Sequence, residues 1–309
     1  MDKSEVTLER MRTFVRVAER GSLSAVAREL GTGQSSVTRH VRELEQAVGV
    51  PLLSRTTRRV MLTEEGSLYY ANCIQILRLV DQAGDEARAA RGAPAGTIRI
   101  SCTAALGVLH ISRLTFAFQD RYPDIGIDLS LTDERIDLVR EGVDIAIRLG
   151  PLTDSSMKVR ALGLSQRLLV AAPSYLAKRG RPTDPQELPD HQGIRMSNIA
   201  GSDRLVLVTS TGERHEVPFG GGLRVDHGLA AREALVAGRG IAPAHRWLVD
   251  DVLAEGRLEI VLPGYSPRAV PLSMLIVPER AAIARVRLLI DFLSEQIAAL
   301  PGLIPGSDA

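Results

Sequence analysis

The sequence predicts an α/β protein with a small all-helical head, on three observations. Ser22 to Glu45 carries two apolar stripes at helical spacing, hinged at a glycine-containing turn. Thr63 to about Ala90 carries one long, narrow apolar seam. From Thr97 onward short strand-like runs alternate with helical ones, the pattern of a parallel sheet with crossover helices.

Thr7 is placed to cap a first helix with Leu8, Met11, Phe14, Val15 and Ala18 facing inward, ending at Gly21. Ser22 precedes a second helix whose buried stripe is Leu23, Val26, Ala27 and Leu30, with Gly31 in position to close it in a left-handed conformation. Beyond the Gly31-Thr32-Gly33 turn, Val37, Val41, Leu44 and Val48 form the next stripe. That stripe leaves Gln34, Ser35, Thr38, Arg39 and Arg42 on the opposite face. Gln and Arg make bidentate bonds to adenine and guanine edges in a major groove, and the hydroxyls at the helix starts, Ser22, Ser35 and Ser36, suit phosphate or base. The competing reading is a solvated face that carries two arginines.

Pro51 ends this helix, and Leu52 to Leu62 reads as two short strands with Arg55, Thr56, Thr57, Arg58 and Arg59 at their turn. Such a wing contributes salt-dependent affinity for phosphates with little base information, against the alternative of a solvated hairpin tip. Thr63 then starts the long helix, with Gly66, Tyr70, Cys73, Leu77, Val80, Gly84 and Ala87 at alternating four- and three-residue spacings. At ~1.5 Å per residue it spans roughly 40 Å, and its seam implies a partner helix. Cys73 on that seam reads as a small core residue.

Arg91 to Gly96 is rich in glycine, alanine and proline and marks a domain boundary. After it come a strand at Thr97–Cys102, a helix from Leu106 to Tyr122 stopped by Pro123, a strand at Ile125–Leu131, a short helix at Ile136–Glu141 and a strand at Val143–Arg148. A second lobe begins near Ser165, and Pro271 to Val277 with the following helix to about Leu300 is expected to return to the first lobe. The expected organisation is a head at 1–63, a linker helix at 64–92, a two-lobed domain at 93–300 (lobe 1 about 97–164 and 271–300, lobe 2 about 165–270) and a mobile tail at 301–309.

Phe14 to Leu23, Gln34 to Thr38, Leu44-Glu45, Val48 to Arg58 and Leu62 to Gly66 resemble the N-terminal domain of LysR-type transcriptional regulators, with Gly33 standing where that family usually has a serine cap. Gly142 to Arg148, Ala172 to Leu176 and Gly238 to Ala242 resemble its effector domain, in the CrgA-like subgroup. The resemblance implies a winged helix-turn-helix that binds promoter DNA and a periplasmic-binding-protein-like effector domain of two α/β lobes. It also implies pairing of two chains through the linker helix, tetramers built from two such pairs, a small-molecule effector in the cleft, and an effect on access of RNA polymerase.

Ligands in such folds sit beyond the carboxyl ends of the strands. That geometry selects Ser101, Thr103 and Ala104 after the first strand, where hydroxyls and a helix N-terminus suit an anion, and Arg148 as a bidentate clamp on it. Asn198, Asp226 and His227 are placed to border the cleft from the second lobe. The bland readings are Thr103 as a cap, Arg148 in a structural ion pair and His227 in an exposed turn. An acid beside a histidine there also points away from a simple monoanion, toward a hydroxylated, cationic or protonatable effector.

The net charge of +1 excludes a wholly basic nucleic-acid coat, yet Arg10 to Thr63 holds ten arginines against four glutamates, an arginine-weighted head on a neutral body. No run approaches a membrane span, and the chain starts charged, so a cytoplasmic, nucleoid-associated protein is expected. The two cysteines, Cys73 and Cys102, fall in different modules and offer neither a disulfide framework nor a zinc cluster. No nucleophile elbow, zinc-protease motif or phosphate loop is present, and the histidines are scattered, so neither catalysis, metal nor cofactor is expected. The alternative function is a small-molecule or thiol redox-sensing module, with Cys102 as the sensing group.

Overall fold

A computed structural model describes residues 5–55, 60–89, 94–134, 137–152, 157–199 and 201–306. The chain forms two compact units, Met1–Ala95 with Ile136–Val143, and Gly96–Arg135 with Asp144–Ala309.

In the first unit, α1 (Leu8–Arg20), α2 (Leu23–Glu29) and α3 (Gln34–Val48) enclose a core of Phe14, Val17, Val26, Val37, Val41 and Leu44. Thr7 caps α1 by accepting from the Arg10 N–H at 3.3 Å. Ser22 caps α2 by accepting from the Ala25 N–H at 3.3 Å. Two inward positions are corrected. Leu8 is 41% exposed, because it enters the helix ahead of the buried stripe, which instead includes Thr13 and Val17. Leu30 is 49% exposed, because it is the C-cap of α2 and no longer follows the helical stripe.

Gly49 ends α3 at φ +84°, and β1 (Leu53–Arg55) pairs antiparallel with β2 (Val60–Leu62). Glu45 binds α3 to this hairpin: its Oε1 accepts from the Leu52 and Leu53 amides at 2.9 and 3.1 Å. The expected wing-tip residues Thr56, Thr57, Arg58 and Arg59 lie outside the described residues.

The long helix, α4 (Glu64–Ala89), starts where the Thr63 hydroxyl accepts from the Gly66 N–H at 2.8 Å. A Cβ on Gly66 would lie 1.9 Å from the Leu52 carbonyl oxygen, so only glycine permits this approach of helix to hairpin. The predicted seam needs correcting here. Cys73 and Leu77 are buried in the core of their own chain, so the first half of that seam is already used. Among the described residues, the large apolar side chains that α4 leaves exposed are Leu68 at 65%, Leu79 at 62%, and Ile76 and Val80 at 37% each, and of these only Val80 belongs to the predicted row. The Ala87 side chain lies outside what is described.

The second unit is built on β3 (Gly96–Cys102), β4 (Ile125–Leu131), β5 (Ile145–Leu149), β6 (Lys158–Ser165), β15 (Val270–Ile276) and β16 (Leu303–Ile304), in the spatial order β16-β6-β15-β5-β3-β4. β3 runs parallel to β4 and β5, but β15 is antiparallel to β5 and β6, so the sheet is mixed. β15 joins this sheet between β5 and β6, and α11 (Ala284–Ile297) packs into the same core. The predicted mobile tail does not hold as a whole: Leu303 and Ile304 form the edge strand, paired with Ser165 and Leu164.

The helix predicted from Leu106 to Tyr122 is interrupted. It comprises α5 (Ala104–Leu106), a π-turn at Gly107–Ile111 and α6 (Ser112–Arg121). The widening adds one residue to the turn, and the Ser112 hydroxyl takes up the Gly107 carbonyl at 2.8 Å. α7 (Leu138–Glu141) and β5 follow, β5 starting two residues later than expected.

Lobe 2 holds β7 (Arg167–Ala171), α8 (Pro173–Arg179), β8 (Ile194–Met196), β9 (Arg204–Thr209), β10 (Arg214–Pro218), β11 (Leu223–Val225), α9 (Gly228–Val236), β12 (Ile241–His245), α10 (Arg246–Ala254), β13 (Glu259–Ile260) and β14 (Tyr265–Pro267). β12 and β13 flank β7, a Gly193–Ile241 bridge carries the pairing on to β8, and β11 lies beside β8. The chain passes between lobes at Gln166 and returns between Pro267 and Val270, so the two crossings adjoin through the Val270–Ser165 pair.

Candidate DNA-reading face and effector site

On α3, Gln34, Ser35, Arg39 and Arg42 are exposed, while Ser36 and Thr38 are half-buried at the edge of the stripe. The arginines of α1 are neutralised: Arg10 by Glu43 at 2.7 Å, Arg12 by Asp81 at 3.0 Å, Arg16 and Arg20 by Glu29 at 3.3 and 2.9 Å. Arg39 and Arg42 have no such partner among the described residues. The face opposite the core therefore carries free positive charge and unused amide and hydroxyl groups. Ser22 differs, since its hydroxyl already caps α2 and lies 3.1 Å from the Ser24 hydroxyl. The side chain of Arg55 is outside what is described.

In the effector domain, β3 and β5 are parallel neighbours that bring Ser101 and Arg148 together. The Arg148 guanidinium donates to the buried Ser101 hydroxyl at 2.6 Å and to the Ile147 carbonyl at 3.2 Å. It has no carboxylate within ion-pair distance among the described residues, and burial draws its pKa down, offset by Cys102 and Asp133. The Thr103 hydroxyl oxygen is buried with no partner in hydrogen-bonding geometry, the Cys102 thiol being its neighbour. An unpaired buried hydroxyl and a partly desolvated cation beside it suit an acceptor-rich ligand.

The helix N-terminus expected to hold that ligand is taken. The Ala104 N–H donates to the Asp133 carboxylate at 3.0 Å, so α5 already has an anion from its own chain. Asp133 was missed in the sequence, although it follows β4 at the carboxyl end of the strand beside β3, the position the fold rule favours. Across the cleft, a Cβ on Gly228 would meet the Ala105 Cβ at 3.0 Å, so the starts of α5 and α9 abut. His227 caps α9, its Nδ1 accepting from the Leu229 N–H at 3.2 Å, and is a half-buried cap rather than an exposed turn residue. Asn198 donates to the Asp226 carbonyl at 3.0 Å, and both are exposed.

Cys102 is fully buried, and burial above all pushes its thiol up to about 12. A buried neutral thiol is a poor sensor, which counts against the redox alternative. Among the described residues there is no cluster of metal-ligating side chains and no helix long and apolar enough to cross a membrane.

Residues 8–67 match the family model of the bacterial regulatory helix-turn-helix protein, lysR family, and residues 91–298 match the LysR substrate binding domain. The chain is 34% identical to the HTH-type transcriptional regulator CrgA of Neisseria meningitidis serogroup C (strain 8013) over 292 residues, 94% of this chain and 96% of that protein. It is 32% identical to the HTH-type transcriptional activator AaeR of Escherichia coli (strain K12), over 93% of each chain. Among solved structures, CrgA from Neisseria meningitidis has a TM-score of 0.61 at 32% identity, covering 95% of this chain and 99% of that one. The full-length Vibrio cholerae virulence activator AphB has a TM-score of 0.61 at 28% identity, covering 93% and 98%. The chain belongs to the LysR family of DNA-binding transcriptional regulators, proteins that are not enzymes, with a helix-turn-helix head and a substrate-binding effector domain.

Proposed function

We propose that α3 reads operator bases through Gln34, Ser35, Thr38 and Arg39, with Ser36, Arg42 and the wing residues Arg55, Thr56, Arg58 and Arg59 on the phosphates. Ser22 holds the turn that aims them. The observation that carries this is the contrast between the paired arginines of α1 and the unpaired Arg39 and Arg42. Free guanidinium groups on a helix face are what base edges and phosphates bind.

Two chains pair along the exposed Leu68, Ile76, Leu79 and Val80 of α4, and two such pairs form a tetramer. The head ends near residue 63, the linker near 92 and the effector domain near 300. A small effector binds against Arg148, Ser101 and Thr103 on one side and Asn198, Asp226 and His227 on the other, with Ala104, whose amide Asp133 already occupies, lining the site only. Its differential affinity for two arrangements of the lobes changes the spacing of the paired readers, DNA bending and RNA polymerase access in the cytoplasm.

Selection of genomic fragments by the purified protein tests the reader. Wild type retains a discrete set of fragments and Arg39→Ala loses it while keeping its helical circular dichroism. An identical set retained by Arg39→Ala would refute the assignment.

A further inference from the structure

We propose a second anion site at the hinge between the lobes, formed by Arg167 and the first turn of α10 and suited to a small oxyanion, either inorganic phosphate or a carboxylate. β6 ends at Ser165 and β7 begins at Arg167, so Arg167 is the first strand residue of lobe 2 after the outgoing crossing. In the β7–β12 register it stands opposite His245, the residue that precedes α10. The Arg246 N–H donates to the Gln166 carbonyl at 3.0 Å, which holds the start of α10 against the residue before Arg167.

Three features leave positive charge uncompensated there. The Arg167 guanidinium is recessed, burial lowers its pKa, and among the described residues it meets neither a carboxylate nor a carbonyl. A partly desolvated cation without an acceptor carries a cost, and an incoming anion reduces it.

His245 offers nothing to the helix. Its Nδ1 lies 2.8 Å from the Ser165 hydroxyl, whose oxygen lies 2.9 Å from the Trp247 indole nitrogen. The indole only donates, so the serine oxygen accepts from it and keeps its own proton available to Nδ1 of a neutral ring. Burial, reinforced by the Arg167 charge, drives the imidazole down to about 3. Directly opposed residues of an antiparallel pair project to the same face of the sheet, so the Arg167 side chain lies on the His245 side, at this end of α10.

The third feature is the helix itself. α10 is nine residues long and has no side-chain cap. Only the first amide of the turn is used, by Gln166, while those of Trp247 and Leu248 have no acceptor within the helix. The guanidinium of Arg246 is matched by Asp250 at 3.1 Å, so it does not serve as the counter-charge. An oxyanion at the end of β12 would take the free amides and the Arg167 fork together. Its residues belong to the lobe 2 sheet, whereas Ser101 and Arg148 belong to the lobe 1 sheet. The Gln166 N–H also donates to the Gly302 carbonyl at 2.8 Å, so occupancy would stiffen the crossing.

The test is titration calorimetry and thermal shift on the full chain with sodium phosphate, acetate or malonate, against chloride at equal ionic strength. Wild type and Arg148→Gln should bind one of these anions with a dose-dependent rise in Tm, and Arg167→Gln should weaken it at least tenfold. A preference for phosphate or for the carboxylates identifies the source. Should Arg167→Gln not fold, Arg167→Lys keeps a charge but not the fork, and a severalfold weaker affinity is expected. The proposal is overturned by no anion-specific shift in wild type, by full binding in the Arg167 variants, or by equal loss in Arg148→Gln.

Discussion

The guanidinium of Arg148 donates to the hydroxyl of Ser101 at 2.6 Å, joining two parallel strands at the mouth of the effector domain without a carboxylate in ion-pair range. Ser101 is fully buried, so its oxygen is an acceptor that water does not replace. Ser101→Ala should cost about 1–2 kcal/mol of effector-domain stability, read as a lower urea midpoint with an unchanged slope. An unchanged midpoint would mean the bond contributes nothing.

Asp133 does for α5 what a bound anion was expected to do. Asp133→Ala should raise hydrogen exchange at the Ala104 amide and lower stability by about 1 kcal/mol, the usual loss for a helix cap. Asp133→Asn keeps an acceptor and should show a smaller effect. Equal protection in all three proteins would contradict the cap.

Glu45 accepts from two consecutive amides that begin the hairpin. Glu45→Ala should leave both amides without that partner and destabilise the head by about 2 kcal/mol, while Glu45→Gln retains most of the stability. Gly66→Ala should be worse, since its Cβ would meet the backbone of Leu52 at 1.9 Å. Thermal melts of the variants rank these effects, and a wild-type melt for Gly66→Ala would contradict the packing.

His245 is neutral and buried, with its pKa depressed from 6.5 to about 3. The unfolded chain therefore binds a proton that the folded chain refuses between those values. Stability should be unaffected by this group above pH 6.5 and fall as pH drops toward 3, by at most about 1.4 kcal/mol per unit. His245→Asn should flatten the fall between pH 6.5 and 4.5 in denaturant titrations. An acid limb of unchanged slope would show that other groups control it.

Leu79, 62% exposed, stands beside Ile76 and Val80 among the apolar side chains that α4 leaves uncovered. Leu79→Glu should shift the protein toward monomer in sedimentation at micromolar concentration, whereas Cys73→Ala, on the side buried within the chain, should not. The opposite ranking would restore the seam predicted from spacing.

The head was legible in the sequence because its helices are amphipathic at fixed period and bounded by residues with one local purpose, such as Ser22, Gly31 and Gly49. Spacing alone did not reveal which side of α4 was already occupied, because the helix packs its early turns on its own head and a heptad repeat looks the same in both cases. The strand order beyond β5 and the edge strand at Leu303–Ile304 depend on pairings more than a hundred residues apart in sequence. In the candidate effector site, the position of Ser101, Thr103 and Arg148 at or beside strand ends was legible from the alternation of strands and helices. Asp133 beside that site and Arg167 at the hinge were not legible, since each is a single charge whose meaning depends on which partner it has or lacks.

The most direct measurement is a hydroxyl-radical footprint on the DNA upstream of the protein's own gene, at two salt concentrations, with Arg39→Ala alongside. Two protected patches a whole number of helical turns apart, weaker at high salt and absent with Arg39→Ala, are the predicted result. Protection identical in Arg39→Ala, or one patch only, would contradict a paired reader built on α3.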